Sequence, residues 1–254
     1  MCGLAAVQFS PRERSPEEWY IIKKIFTDNL IANEERGREA SGVAIINADG
    51  GHLMLKAPKS ASEFVQTEAY KLLLTQLNSE TICLFGHTRK PTKGDPSNYE
   101  NNHPINSDNI VGIHNGEILN DDELFHKNRL RRKGEVDSEI IFQLMNQIDP
   151  VVVNTENYIR AIREQILKFD GKFTYIFIDI RLPSRLMVIK KNQPLSLHWD
   201  DNFQALFFSS RYLFLRKTFG PSVMVQKLLY QQGYCFDNKL LTTQKSHPIL
   251  SFQI

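Results

Sequence analysis

The sequence predicts an α+β domain, and three observations predict it. Strand-like and helix-like segments come in blocks rather than in strict alternation, which favours layered α+β packing over a doubly wound sheet. The chain has 254 residues, 41% hydrophobic and 24% charged, enough for one large core or two small ones. No internal repeat, low-complexity tract or Pro/Gly/Ser-rich linker divides it, so a single domain over residues 1–254 is expected.

The elements follow in order. Leu4 to Phe9 reads as a short, mostly apolar strand. Pro16 to Glu35 reads as a helix, because Ser15 can cap it, Pro16 suits its first position, and Trp19, Ile22, Ile25 and Phe26 supply its apolar residues. Gly42 to Asn47 and His52 to Leu55 read as strands joined by a turn at Asp49-Gly50-Gly51. Thr81 to Phe85 is a mostly apolar strand. Lys90 to His103 has loop chemistry, with Pro91, Gly94 and Asp95-Pro96. Ile110 to His114 is a strand that ends at Asn115-Gly116. Asp137 to Gln147 is a helix with Ile140, Ile141 and Leu144 on one face. Asn154 to Phe169 is a second, with Ile159, Ile162 and Ile166 at helical spacing. Phe173 to Ile180, Leu186 to Lys190, Ser196 to Trp199 and Ala205 to Ser209 complete the strands.

Bulk properties exclude several functions. A net charge of +2 gives no electrostatic argument for nucleic acid or membrane binding. No apolar run approaches the length of a membrane span, and no signal peptide is visible, so a cytoplasmic protein is expected. The three cysteines, Cys2, Cys83 and Cys235, form no disulfide framework, and their odd number suits a reducing compartment. Cys83 lies in Ile82-Cys83-Leu84-Phe85 and reads as a buried strand residue. There is no Gly-rich phosphate loop and no Cys-x-x-Cys, and His87, His103 and His114 lack paired-ligand spacing. No metal or cofactor is expected. The short cluster Arg129, Arg131, Arg132, Lys133 reads as solvated surface, or else as a docking patch for a partner or nucleic acid.

Cys2 is the residue that carries chemistry. Methionine is removed when a small residue follows it, which would leave a thiol and a free α-amino group on one residue. A free thiol is mostly protonated at neutral pH, whereas an α-amine of pKa about 7.7 to 8.0 is partly neutral there and can act as base.

Segments placed further along the chain group with Cys2-Gly3. They are Arg36-Gly37-Arg38-Glu39-Ala40-Ser41-Gly42, Gly86-His87-Thr88-Arg89, His114-Asn115-Gly116-Glu117 and Asp137-Ser138-Glu139. In this order they resemble the class II glutamine amidotransferase domain of the N-terminal nucleophile hydrolases. That domain is found in glucosamine-6-phosphate synthase, glutamine phosphoribosylpyrophosphate amidotransferase, asparagine synthetase and glutamate synthase. The resemblance runs from Cys2 to about Arg216 and implies a four-layer α/β/β/α sandwich with two facing antiparallel sheets.

The resemblance also implies roles. Cys2 is nucleophile and base. Asn115, through its side-chain amide, and Gly116, through its backbone N–H, form the oxyanion hole; on its own, Asn-Gly is a hairpin-turn signal. Arg89 holds the substrate α-carboxylate, a role that suits a guanidinium fork. Asp137 accepts from the α-ammonium; on its own, it would be a helix N-cap. Arg36 orients the nucleophile's surroundings. Gly3 lets substrate approach the backbone, and Gly37 and Gly42 serve backbone shape. Asn101-Asn102-His103-Pro104 resembles a supporting element. After Gly-His-Thr-Arg the sugar-phosphate and purine enzymes continue Trp-Ala-Thr-x-Gly, where this chain has Lys90-Pro91-Thr92-Lys93-Gly94. Thr92, a candidate substrate contact, is kept; the aromatic is not.

The expected activity is hydrolysis of L-glutamine through a Cys2 thioester. Residues 217–254 are too few for a synthase domain, so the ammonia acceptor is expected on a separate synthetase or transferase subunit. The isolated chain is expected to be a slow glutaminase that its partner accelerates. Pro194-Leu195-Ser196-Leu197 and Phe207-Phe208-Ser209-Ser210 look closest to asparagine synthetase and the purine enzyme, which leans the acceptor towards ATP-dependent amidation. Two rivals stay open: an N-terminal nucleophile amidase for another γ-glutamyl or acyl amide, and a non-catalytic regulatory subunit of the same fold. Homo-oligomerisation is left open.

Overall fold

The computed structural model describes residues 1–150 and 155–254. In chain order its elements are β1 (Gly3–Phe9), α1 (Pro16–Asn33), β2 (Ala40–Asn47), β3 (His52–Ala57), α2 (Ala61–Phe64), α3 (Glu68–Leu74), β4 (Thr81–Arg89), β5 (Ile105–Ser107) and β6 (Ile110–Ile118). Then come α4 (Asp121–Lys127), α5 (Ser138–Asn146), α6 (Thr155–Ile166), β7 (Gly171–Asp179), β8 (Arg185–Lys190), β9 (Ser196–Asp200) and β10 (Ala205–Ser209). The chain closes with α7 (Tyr212–Phe219), β11 (Gln226–Lys227), β12 (Gln232–Asp237), α8 (Leu241–Gln244) and β13 (Leu250–Gln253).

The strands form two antiparallel sheets. A seven-stranded sheet runs β11-β9-β10-β1-β4-β2-β3, and a six-stranded sheet runs β13-β12-β8-β7-β6-β5. Three apolar layers explain the arrangement. Leu4, Ala6, Phe85 and Phe208 of the first sheet meet Val111, Ile113, Ile176 and Val188 of the second. The other face of the first sheet, with Ala5, Val7 and Leu84, packs on Trp19, Ile22, Phe26 and Leu30 of α1. The outer face of the second sheet, with Phe173, Tyr175 and Phe177, packs on Ile140, Ile141 and Leu144 of α5 and Ile162 of α6. This is the α/β/β/α sandwich. β1 is buried throughout and apolar apart from Gln8, because alternate side chains enter different buried layers.

Several local features follow the sequence closely. Ser15 caps α1 through a reciprocal capping box with Glu18, with Pro16 at its start. α1 ends at Asn33, and a 3-10 turn over Glu34–Arg36 replaces the last residues expected of it. The second expected helix is seen from Thr155; its expected start at Asn154 lies outside the described residues.

Three differences bear on the site. β4 continues past Phe85 because β1 and β2 pair with it on both sides, and Arg89 ends it, as expected, before the loop begins. β6 does not turn at Asn115-Gly116: β7 pairs with it from Ile110 through Ile118, which overrides the local turn signal. Residues 217–254, unassigned from sequence, join both sheets. β11 edges the first, and β12 and β13 extend the second. Among the described residues no helix is long and apolar enough to cross a membrane.

Candidate active site

The site lies where β1 begins, β4 ends and β6 passes its midpoint. Gly3 pairs with Thr88, which places Cys2 beside Arg89 at the end of β4. The peptide nitrogen of Cys2 donates to Asn115 Oδ1 at 2.9 Å, and Arg36 Nε donates to Cys2 O at 2.7 Å. Cys2 is therefore held from two directions, one of them by the 3-10 turn that follows α1. Its Sγ donates to Lys90 O at 3.7 Å. Burial pushes the Cys2 thiol above its ordinary range, against the opposing influence of the Lys90 contact and the nearby positive charges.

Asn115 is fully buried. Its Oδ1 is occupied by Cys2, while Nδ2 has no hydrogen-bond partner. Gly116 follows at φ +146°, and a side chain there would place Cβ 2.0 Å from Lys172 O, so glycine is required by the backbone itself. Strand donors alternate between edges. Leu119 N–H reaches across to Asp170 O, and Ile118 N–H reaches the opposite way to Asp137 Oδ2 at 2.6 Å. Gly116 N–H shares the edge of Ile118, beyond the reach of β5, which pairs only as far as Gly112. A free amide donor and a backbone donor thus lie close to Cys2.

Asp137 stands at the N-cap position of α5, but its side chain does not cap the helix; it turns to Ile118 instead. Burial pushes its carboxyl up to about 6, aided by Asp121 and opposed by the Ile118 donation. Arg89 is 3% exposed. Nη1 donates to Asn102 Oδ1 at 3.0 Å, and Nη2 donates to Lys93 O at 2.6 Å and Gly94 O at 2.8 Å. The fork expected to read a carboxylate is filled by the chain's own loop. Gly3 has an internal reason to be glycine: a Cβ there would lie 2.4 Å from Thr88 Oγ1 and 2.7 Å from Asn33.

Cys2, Arg89, Thr92, Gly116 and Asp137 line one small cavity, together with Lys90, Pro91, Lys93, His103, His114, Val136 and Ser138. Its volume is about 20 Å³, room for one water. A cavity of about 580 Å³ opens at the far end of β1, beside Pro11, Ile82 and Pro183, so size does not mark the chemistry. The histidines behind the site are supports. His114 Nδ1 lies 2.7 Å from Ser138 Oγ, His87 Nε2 donates to His114 O at 2.9 Å, and the His87 and His103 rings stack at 4.2 Å. Burial pushes His87 and His114 down to about 3, so both are neutral at pH 7.

Two motif residues to which no individual role was given take part as supports. Asn102 anchors Arg89, and Ser138 anchors His114. Arg129, Arg131 and Lys133 are exposed, as a solvated run would be, while Arg132 with Lys93 binds Asp121 and Asp122 beside the site. Lys93 was a visible signal, but its partners on α4 were not. Among the described residues, no cluster of three or more His, Cys, Asp or Glu could hold a metal.

Residues 96–217 match the family described as "Glutamine amidotransferase domain". The chain is 28% identical over 247 residues to the 7-cyano-7-deazaguanine synthase of Saccharolobus solfataricus, covering 96% of this chain and 50% of that protein. It is 27% identical over 230 residues to the isomerizing glutamine–fructose-6-phosphate aminotransferase of Buchnera aphidicola, covering 85% and 34%. The chain thus spans half or less of the length of these relatives. The structure of glutamine phosphoribosylpyrophosphate amidotransferase from B. subtilis superposes with a TM-score of 0.70 at 16% identity, over 99% of this chain and 49% of that one, and shares its fold. With Cys2 at the head of β1, the chain shares the fold of that amidotransferase structure, and its residues 96–217 are similar to a glutamine amidotransferase domain.

Proposed function

We propose that this domain hydrolyses the side-chain amide of L-glutamine to glutamate and ammonia, with Cys2 as nucleophile, and supplies the ammonia to an acceptor site on a partner protein. One observation carries the reading: Asn115 uses its oxygen to hold the Cys2 nitrogen and leaves Nδ2 without a partner. That amide links the base to the place where negative charge develops.

The steps follow from the groups present. The thiol is protonated at rest, since burial raises it. Once Met1 is gone, the α-amine of Cys2 takes the thiol proton as Sγ attacks the substrate amide carbon. The oxyanion accepts from Asn115 Nδ2 and Gly116 N–H. The amine then gives its proton to the departing nitrogen, ammonia leaves, and a γ-glutamyl thioester remains. Water, deprotonated by the same amine, attacks the thioester and releases glutamate and the thiol. Arg89 reads the α-carboxylate, Asp137 the α-ammonium, and Thr92 borders the same cavity. Arg36 fixes the Cys2 carbonyl, and Gly3 admits the close packing of Thr88 that sets Cys2 in place.

The test is turnover of L-glutamine against a panel of other γ-glutamyl and acyl amides, with the Asn115→Ala protein alongside. Glutamine is expected to be the preferred amide, and Asn115→Ala to lose roughly 10²- to 10³-fold in kcat, the cost of one oxyanion donor. Preference for another amide refutes the substrate.

Asp137 sets a pH limit. Its carboxyl, raised to about 6 by burial, must be ionised to hold an ammonium. kcat/KM for glutamine therefore rises as pH rises through about 6, and this acid limb is absent in Asp137→Asn. Rate profiles between about pH 5 and 8 check this. The same limb persisting in the variant would assign the titration to another group.

A further inference from the structure

The loop from Lys90 to Gly94 closes the site with groups that imitate a substrate. Its carbonyls at Lys93 and Gly94 occupy Arg89 Nη2, as a carboxylate would. Its carbonyl at Lys90 receives Cys2 Sγ. The cavity that remains holds one water, and an amino acid the size of glutamine does not fit. What secures the loop lies outside the cavity. Lys93 Nζ reaches Asp121 Oδ2 at 2.9 Å and Asp122 Oδ2 at 3.4 Å, both in the first turn of α4. Lys93 occupies the variable position of the segment that otherwise reads Trp-Ala-Thr-x-Gly in the resembled enzymes.

We propose that this loop is a self-inhibiting latch. Lys93, clamped to Asp121 and Asp122, holds the loop carbonyls on Arg89 and Cys2, and glutamine enters only when that clamp opens. The proposal rests on the roles given to Cys2 and Arg89 above. The clamp is built to open. The Lys93 side chain is 41% exposed and that of Asp122 78%, so salt screens that pair, and it screens the Lys93–Asp121 pair less, since Asp121 is 7% exposed. Opening leaves no stranded charge, because Arg132 Nη2 also binds both carboxylates.

That geometry selects the test. Lys93→Met keeps the apolar stem and leaves Asp121 and Asp122 paired with Arg132. Alkylation of Cys2 by iodoacetamide, followed by mass spectrometry, reads how often the site opens, whatever the substrate. Cys83 and Cys235 are buried and give no competing signal. Lys93→Met is expected to label at least about threefold faster than the parent protein, the scale of one partly exposed ion pair. Added salt is expected to speed the parent towards the variant and leave the variant unchanged. kcat/KM for glutamine should rise with the labelling rate. If Lys93→Met perturbs folding, Asp122→Asn decides, since its carboxylate is exposed. Equal labelling rates for the parent and the folded variants overturn the latch. Faster labelling with no glutamine hydrolysis by any of the proteins supports the latch and refutes the glutaminase reading.

Discussion

Cys2→Ser is expected to retain the fold and to lower glutamine turnover by about 10³-fold or more, as loss of a nucleophile does in other acyl-transfer enzymes. The exchange preserves shape and the backbone contacts to Asn115 and Arg36, which involve the nitrogen and carbonyl of residue 2 rather than its side chain. What changes is the ionisation of the attacking atom: an alcohol is far harder to deprotonate than a thiol. A glutamine-analogue electrophile should label Cys2 alone. Burial pushes Cys83 well above the usual thiol range and Cys235 up to about 12, so neither supplies thiolate near neutral pH. Intact-mass measurement and peptide mapping of the labelled protein check this, and labelling at Cys83 would refute Cys2 as the nucleophile.

A chain that keeps Met1, or carries an N-terminal extension, is expected to lose roughly 10²- to 10⁴-fold in turnover, the contribution of a positioned general base. In such a chain the Cys2 nitrogen is a peptide amide. It can donate to Asn115 Oδ1 but cannot accept the thiol proton. Burial of the thiol makes the loss larger, because the resting thiolate that could bypass a base is suppressed. Met1 is 58% exposed and borders an open cavity beside Glu34, Glu35, Arg36, Lys90 and Arg211, so it is accessible for removal. Mass spectrometry of the purified protein paired with its turnover gives the comparison. Full turnover in a chain shown to retain Met1 would rule out the amine as base. Cys2→Ser and retained Met1 remove different halves of one residue, so a loss in both is the signature of an N-terminal nucleophile.

Local pattern and tertiary packing divided the work unevenly. The start of α1 was legible because Ser15, Pro16 and Glu18 act within one helical turn. The core strands were legible because residues buried on both faces leave a mostly apolar run, as in Leu4 to Phe9. The tail strand β12 was not, because it is held by β8, a partner distant in sequence.

The site shows the same division. The order of Cys2, Arg89, Asn115-Gly116 and Asp137 carried the resemblance to the glutamine amidotransferases, since each residue type is set by a chemical requirement that survives in one dimension. Sequence alone left Asn115-Gly116 open between turn and oxyanion donor; β7, pairing along the whole of β6, makes it strand. It left Asp137 open as a helix cap; the side chain turns to Ile118 across the open edge of β6. It gave Lys93 no partner and Arg132 no task, because their shared carboxylates on α4 become neighbours of the loop only when the second sheet is folded. What this sequence determined by itself is which chemical groups are present and which layers their strands enter. Which donors stay free, which fork is filled and how much room remains beside Cys2 are decided by contacts between distant segments, and only the tertiary structure brings those together.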